Sequence, residues 1–201
     1  MFRRIFRYQI FVVILAAGWW WWPWRAIRHE PGVLVSRVPV QTDLPARRLQ
    51  PIDGYSIEAI ARYEITARIL RTKRYWRGPG SDLVPYDVAV GWGPMSDQSV
   101  LDGLHITQGN RFFFYAWERQ PPIPQAQIQA SASNMHVISA NGEVASTVRS
   151  LRAGEIVTMH GFLVNVAHPS GFTWRSSLSR TDGGNGACEV FYVEKAQRTA
   201  L

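Results

Sequence analysis

The stretch from residue 155 to residue 194, EIVTMHGFLVNVAHPSGFTWRSSLSRTDGGNGACEVFYVE, decides the fold class. Three runs rich in β-branched and aromatic residues, Glu155 to Val166, Phe172 to Arg180 and Ala187 to Glu194, are separated by Pro169-Ser170-Gly171 and by a glycine-rich loop. Proline and glycine stop strands and build turns, so the pattern predicts three successive antiparallel strands, a meander. Working outward, Tyr63, Ile65, Ala67 and Ile69 alternate with Glu64, Thr66 and Arg68, the period of a half-buried strand. Asp87 to Val90, Phe112 to Trp117 and Met135 to Ser139 read as further strands.

Short helices fall between them. Ser96 can cap one with Asp97 in its first turn and Val100, Leu101 and Leu104 as its buried stripe. A weak helix follows Pro122 and Pro124 through Ala130. Asn141 can cap a third, with Val144, Val148 and Leu151 at helical spacing and Gly154 as its stop. The expectation is an α+β domain, a mostly antiparallel β-sheet with short helices that can curl into a small, partly open barrel of OB type.

The N-terminus carries a different signal. Tyr8 to Trp24 is seventeen residues without a charge, roughly 25 Å as a helix, slightly short of a bilayer core. Arg3, Arg4 and Arg7 precede it, Trp19, Trp20, Trp21, Trp22 and Trp24 close it, and Arg25 follows. Indoles at one end and arginines at both are the marks of a membrane interface. The basic excess before the span places the N-terminus inside and the rest outside, the arrangement of a signal anchor in a bacterial inner membrane with a periplasmic domain. Ala16-Ala17-Gly18 also offers small residues where a leader could be cut. Residues 1–30 thus read as cytoplasmic start and transmembrane anchor. Residues 31–55, with Pro31, Pro39, Pro45 and Pro51, read as an extended stalk or edge strand, and residues 56–201 as one extracytoplasmic domain.

Charge narrows the function classes. The net +7 sits almost entirely in the first 50 residues, which hold eight Arg against Glu30 and Asp43; beyond them fourteen basic side chains face thirteen acidic ones. A near-neutral domain lacks the basic face that nucleic-acid binding requires, so no nucleic-acid partner is expected and an OB-like nucleic-acid binder is the least supported reading. One cysteine, Cys188, excludes an internal disulfide. Scattered histidines and the lone cysteine offer no metal-ligand spacing, and no cofactor motif occurs.

The segments GWGPMSD (Gly91 to Asp97), SNMH (Ser133 to His136) and SSLSRTDGGNGACE (Ser176 to Glu189) resemble a family of uncharacterised bacterial single-pass membrane-anchored proteins. The resemblance implies envelope location and one domain, and it supplies no catalytic residues. Where the family reads Asp-Thr-Gly, this chain has Asp182-Gly183-Gly184.

Two chemistries are open to these residues. A non-enzymatic module would bind an envelope protein partner or a polar ligand through Trp92, Asp97, His136, Arg180 and Asp182, the last two on a loop whose glycines let backbone amides approach an anion. A hydrolase or thiol enzyme would use Cys188 with His136 or His160 as base and Asp182 as its orienting acid. The alternation of His160 with Ile156, Thr158, Phe162 and Val164 predicts that His160 faces the core, and Cys188, sharing a face with Val190 and Tyr192, reads as a small buried hydrophobe.

Overall fold

A computed structural model describes residues 25–179 and 188–199. Arg3, Arg4, Arg7 and the tryptophans of the expected anchor lie outside the described residues, as do Arg180, Asp182 and the glycines that follow. Among the described residues, no helix is long and apolar enough to cross a membrane.

The domain is α+β and mostly sheet, with nine strands among the described residues: β1 (Val40–Arg48), β2 (Ser56–Arg74), β3 (Tyr86–Gly91), β4 (His105–Gly109), β5 (Phe112–Ala116), β6 (Ala132–Ser139), β7 (Ile156–Ala167), β8 (Thr173–Arg175) and β9 (Glu189–Thr199). Three short helices, α1 (Gln98–Asp102), α2 (Gln125–Ala130) and α3 (Gly142–Arg149), lie between them. The long β2 organises the sheet. One of its edges pairs with β7, while the other takes β1 along its first half and β3 along its second. Because β2 meets both β3 and β7, the order β2-β3-β6-β9-β7 returns on itself and forms a closed ring of hydrogen-bonded strands. All its pairs are antiparallel except β6 with β9. A parallel pair needs a long connection, here supplied by α3, β7 and β8.

The C-terminal strands are therefore not a simple meander. β2 holds one edge of β7 along its length, so β9 and β8 share the other, at Ile156–Leu163 and Asn165–Ala167. The strand periods were legible, but their partners were set by ring closure. His160 is likewise corrected: its side chain is 40% exposed and pairs with Glu64 at 3.3 Å on the outer surface. The inward positions of β7 are Val157, Met159 and Leu163, whereas Phe162 and Val164, the apolar members of the His160 face, are buried beneath the outer cover. The β7-β9 register shifts between His160 and Gly161 by one extra residue on β9, Glu194, and Gly161 gives the room, since a Cβ there would lie 2.0 Å from the Tyr192 carbonyl oxygen.

Inside the ring Tyr63, Ile65, Ile69, Val88, Val90, Met135, Val137, Met159, Phe191 and Val193 form the main core, and Val144 and Val148 from α3 and Leu151 just after it pack into it. Tyr63 and Phe191 meet edge to face at 5.2 Å. Asn141 caps α3 by accepting from Val144 N. The outside of the sheet is covered twice. Leu83, Val84, Phe172 and Trp174 cover Ile138, Val164 and Val190. The β4-β5 hairpin and the residue after it cover Ala89 and Ala132 with Ile106, Phe113, Tyr115 and Trp117, so one face of the aromatic run serves as that cover while Phe114 stays exposed.

The GWGPMSD segment seats the chain that precedes β1. Gly93 N donates to Val35 O at 2.7 Å, and Ser96 Oγ accepts from Leu34 N and Val35 N at 3.1 and 3.0 Å. Asp97 Oδ1 accepts from Gly32 N at 3.0 Å while capping α1 through Ser99 N at 2.8 Å, so the cap is Asp97 rather than Ser96. Arg68, buried on the outside of β2, donates to Ser96 O, Gln98 Oε1 and Ile27 O. Burial pulls its guanidinium below its usual range, against the nearby Asp102 and Asp97. Residues 27–35, read in part as a stalk, lie against the domain, and Val40–Arg48 continues them as the strand β1.

Candidate functional site

Between the two outer apolar covers runs a polar seam. On β6 the outward positions are Ala132, Asn134, His136 and Ile138, with the first under the hairpin cover and the last under the loop cover. Asp87 on β3 stands opposite His136. Directly opposed side chains of antiparallel strands approach to about 5 Å between Cβ atoms, close enough for an acid and an imidazole to bond. Here Asp87 Oδ1 and His136 Nδ1 are 2.9 Å apart, with side-chain exposures of 0% and 2%.

The charge that answers Asp87 comes from the β4-β5 hairpin. Its two-residue connection, Asn110 and Arg111, has φ of 50° and 69°, a left-handed turn of the kind that closes tight hairpins. Asn tolerates that region, while for Arg it costs on the order of 1 kcal/mol. The turn carries Arg111 into the seam, where Nη1 donates to Asp87 Oδ1 at 2.9 Å and to Val84 O at 3.0 Å. Its guanidinium lies 4.0 Å over the Tyr75 ring and 5.3 Å from that of Trp174, and Trp174 in turn sits 4.1 Å from His136. The Arg111 backbone is held as firmly: its N–H donates to Tyr75 Oη at 3.0 Å, and its carbonyl accepts from Asn134 Nδ2 at 2.9 Å and from Cys188 Sγ at 3.7 Å. Gln108 Nε2 donates to Asn134 Oδ1 at 2.7 Å. Burial pushes the Tyr75 phenol up, which keeps it neutral, an acceptor for the Arg111 N–H and a cover for the cation.

Burying an ion pair is expensive unless its hydrogen-bonding capacity is filled. It is not filled here. Asp87 Oδ2, Arg111 Nη2 and Gln108 Oε1 are buried and have no partner among the described residues. A carboxylate with one oxygen in use and a guanidinium with one nitrogen idle can accept and donate toward a polar group entering the seam.

Comparison with known families, curated proteins and solved structures places these residues no further. No family model, curated protein or solved structure matches the chain.

The sequence candidates separate in space. His136 is in the seam and Cys188 at its edge, half-buried and bonded to Arg111 O. Trp92 is buried at the end of the main core and Asp97 holds Gly32, so both build scaffold. His160 lies on the outer surface of β7, bonded to Glu64. Asp87, Arg111, Tyr75 and Trp174 were missed as a site. One signal was present: an acid inside the apolar run Tyr86-Asp87-Val88-Ala89-Val90 needs a partner. Among the described residues, no group of three His, Cys, Asp or Glu side chains is arranged to hold a metal ion.

A separate groove of about 240 Å³ opens between β1, β2, β7 and β8. Arg48, Glu58, Asn165 and Arg175 form one cross-strand row along it. Its alternation of charges suits a solvated sheet surface.

Proposed function

We propose that the protein is a membrane-anchored envelope module that binds a protein partner or polar ligand without chemical turnover, through the β3-β6 face. The five-stranded ring is read as an OB-type barrel, closed by one parallel pair. In such barrels the face of the second and third strands, flanked by two loops, takes ligands. Here β3 and β6 are those strands, and Tyr75 and Trp174 stand on the flanking connections. The observation that carries the reading is the buried Asp87, His136 and Arg111 cluster with idle polar atoms on that face. The anchor, the inner-membrane location and the family likeness rest on the sequence alone.

Photo-crosslinkers placed in the full chain at two exposed positions, Phe114 on the hairpin whose turn carries Arg111 and Leu178 next to Ser177, whose N–H donates to Cys188 O, test the reading in intact membranes against a control at Glu143 on α3. Adducts from the first two positions and none from the third are expected. Equal labelling from all three, or none from any, would refute binding at this face.

One observation favours a second reading. The Asp87 to His136 bond is the orienting half of an acid-base pair, leaving Nε2 to take a proton. The thiol at hand, Cys188, donates to a carbonyl of the hairpin turn. If His136 activated it, His136→Gln would slow alkylation of Cys188 at least tenfold, on the scale of general-base catalysis; under the binding reading the rate changes less than about twofold.

A further inference from the structure

The end of the domain where the chain arrives from residue 25 carries an unusual surface. Ile27 N donates to Ala153 O at 2.8 Å, and Ile27 O accepts from Arg68 Nη2 at 3.5 Å, so this residue is seated beside positions 68–69 of β2 and the start of β7. From there β2 runs on past the last residue it pairs with β7, supported on one edge by β3 alone. That overhang and the turn after it carry Arg71, Lys73, Arg74 and Arg77, with no acid between positions 71 and 77. Trp76 at its tip is 74% exposed, and the Arg74 guanidinium lies 3.2 Å from its ring centroid. None of the four cations forms an ion pair among the described residues, and the next acid, Asp82, is bonded by the Tyr55 hydroxyl. Four of the fourteen basic side chains beyond residue 50 stand here, leaving ten against thirteen acids elsewhere. The overhang is thus a local basic patch on a domain that is neutral overall.

We infer that the 71–77 overhang docks on an anionic lipid surface, holding the domain down on the membrane rather than above it. This rests on the anchor reading in one respect. If Trp24 closes a transmembrane span at headgroup level, the three residue steps to Ile27 allow at most about 11 Å of separation. No slack follows, because residues 27–35 are bonded to the domain and β1 is in the sheet. Positions 71–74 lie roughly 7 to 17 Å along the strand from Ile69, and Trp76 and Arg77 at most about 26 Å, so Arg71, Lys73 and Arg74 stand nearest the interface that the tether sets and Trp76 and Arg77 at the edge of its reach. Arginine and lysine supply attraction to acidic headgroups, and an indole with a cation over its face is suited to the layer between water and hydrocarbon.

The test uses the full chain in lipid nanodiscs, neutral phosphatidylcholine in one set and a mixture with phosphatidylglycerol in the other. Amide hydrogen exchange of residues 71–86 is expected to slow in the anionic discs only. The double variant Arg74→Glu, Arg77→Glu should lose that protection by on the order of tenfold or more, since each basic group near an anionic surface is worth about fivefold in binding. Exchange in the main core of the variant, unchanged, shows that it folds. Equal exchange of 71–86 in both lipids overturns the docking. Carbonate extraction of native membranes separates the two readings: a chain released by carbonate overturns the anchor, whereas one retained with lipid-independent exchange overturns the docking alone.

Discussion

Replacing Arg111 with Met removes the cation from the seam and keeps most of its volume. The substitution deletes the bond to Asp87 Oδ1 at 2.9 Å and the bond to Val84 O at 3.0 Å, together with the stacking on Tyr75. Removing one member of a buried ion pair costs about 3–5 kcal/mol, because the other charge stays buried without compensation. Asp87 is fully buried, but the Arg111 side chain is 18% exposed and His136 remains bonded to the same oxygen, so the lower part of that range applies, about 3 kcal/mol. For a chain of this size each kcal/mol lowers Tm by roughly 2–4 °C, giving a fall of roughly 6–12 °C. Scanning calorimetry of the full chain in detergent measures it. Asp87→Asn alone should also destabilise, and the double variant should cost at least about 1.5 kcal/mol less than the two losses added, since an amide no longer leaves a charge stranded. A loss under about 1 kcal/mol for Arg111→Met, or singles that add within about 0.5 kcal/mol, would show that the pair is not what fixes the hairpin on the sheet.

Three further outcomes follow from other parts of the domain. Gly154 has φ of +94°, and a Cβ there would fall 2.0 Å from Ile27 O; Gly154→Ala should cost about 2–4 kcal/mol in denaturant unfolding and speed tryptic cleavage after Arg28, while unchanged cleavage would mean that residue 27 is not seated there. Bonds from Gly32 N and Ser99 hold the Asp97 carboxyl below its usual range, so its contribution to stability is complete above the unfolded value of about 3.9 and is lost as pH falls through the lower folded value. Hydrogen exchange at Gly32 should accelerate in that acid window, and Asp97→Asn should remove the acid dependence; acceleration that persists in the variant would assign it to another group. His160→Ala should change stability by less than about 0.5 kcal/mol, because its ion pair with Glu64 is half exposed, and a loss above about 2 kcal/mol by thermal melt would return His160 to the core.

The local elements were readable because each rests on neighbouring residues. Asn141, Val144 and Val148 specify α3 by capping and spacing, although the helix stops at Arg149, short of Leu151 and Gly154, and the alternation from Tyr63 to Ile69 specifies β2. What the alternation could not specify was the partner of each strand. The closure of β2 on β7 and the parallel pairing of β6 with β9 join residues far apart in the chain. His160 shows the same limit on a smaller scale, since Phe162 and Val164 make its face apolar by packing under the outer cover rather than by facing the ring interior.

The site was legible in part, for a related reason. Motif-like segments drew attention to Trp92 and Asp97, whose unusual residues are explained by backbone geometry: Gly91 must admit the Met95 carbonyl, whose oxygen would lie 2.4 Å from an added Cβ, and Asp97 must bridge Gly32 and α1. His136 was found by its chemistry. Its partners were not, because Asp87 and Arg111 come from a strand and a hairpin turn whose juxtaposition only the ring provides. An ion pair assembled this way does not fold the domain cheaply, since an apolar seam continuous with the two flanking clusters would bury without desolvating charge. The chain instead interrupts its outer apolar cover with Asp87, His136, Asn134 and Arg111, and places Arg111 at a positive φ to do so. The feature least explained by stability is therefore the one on which the proposal of a binding face rests.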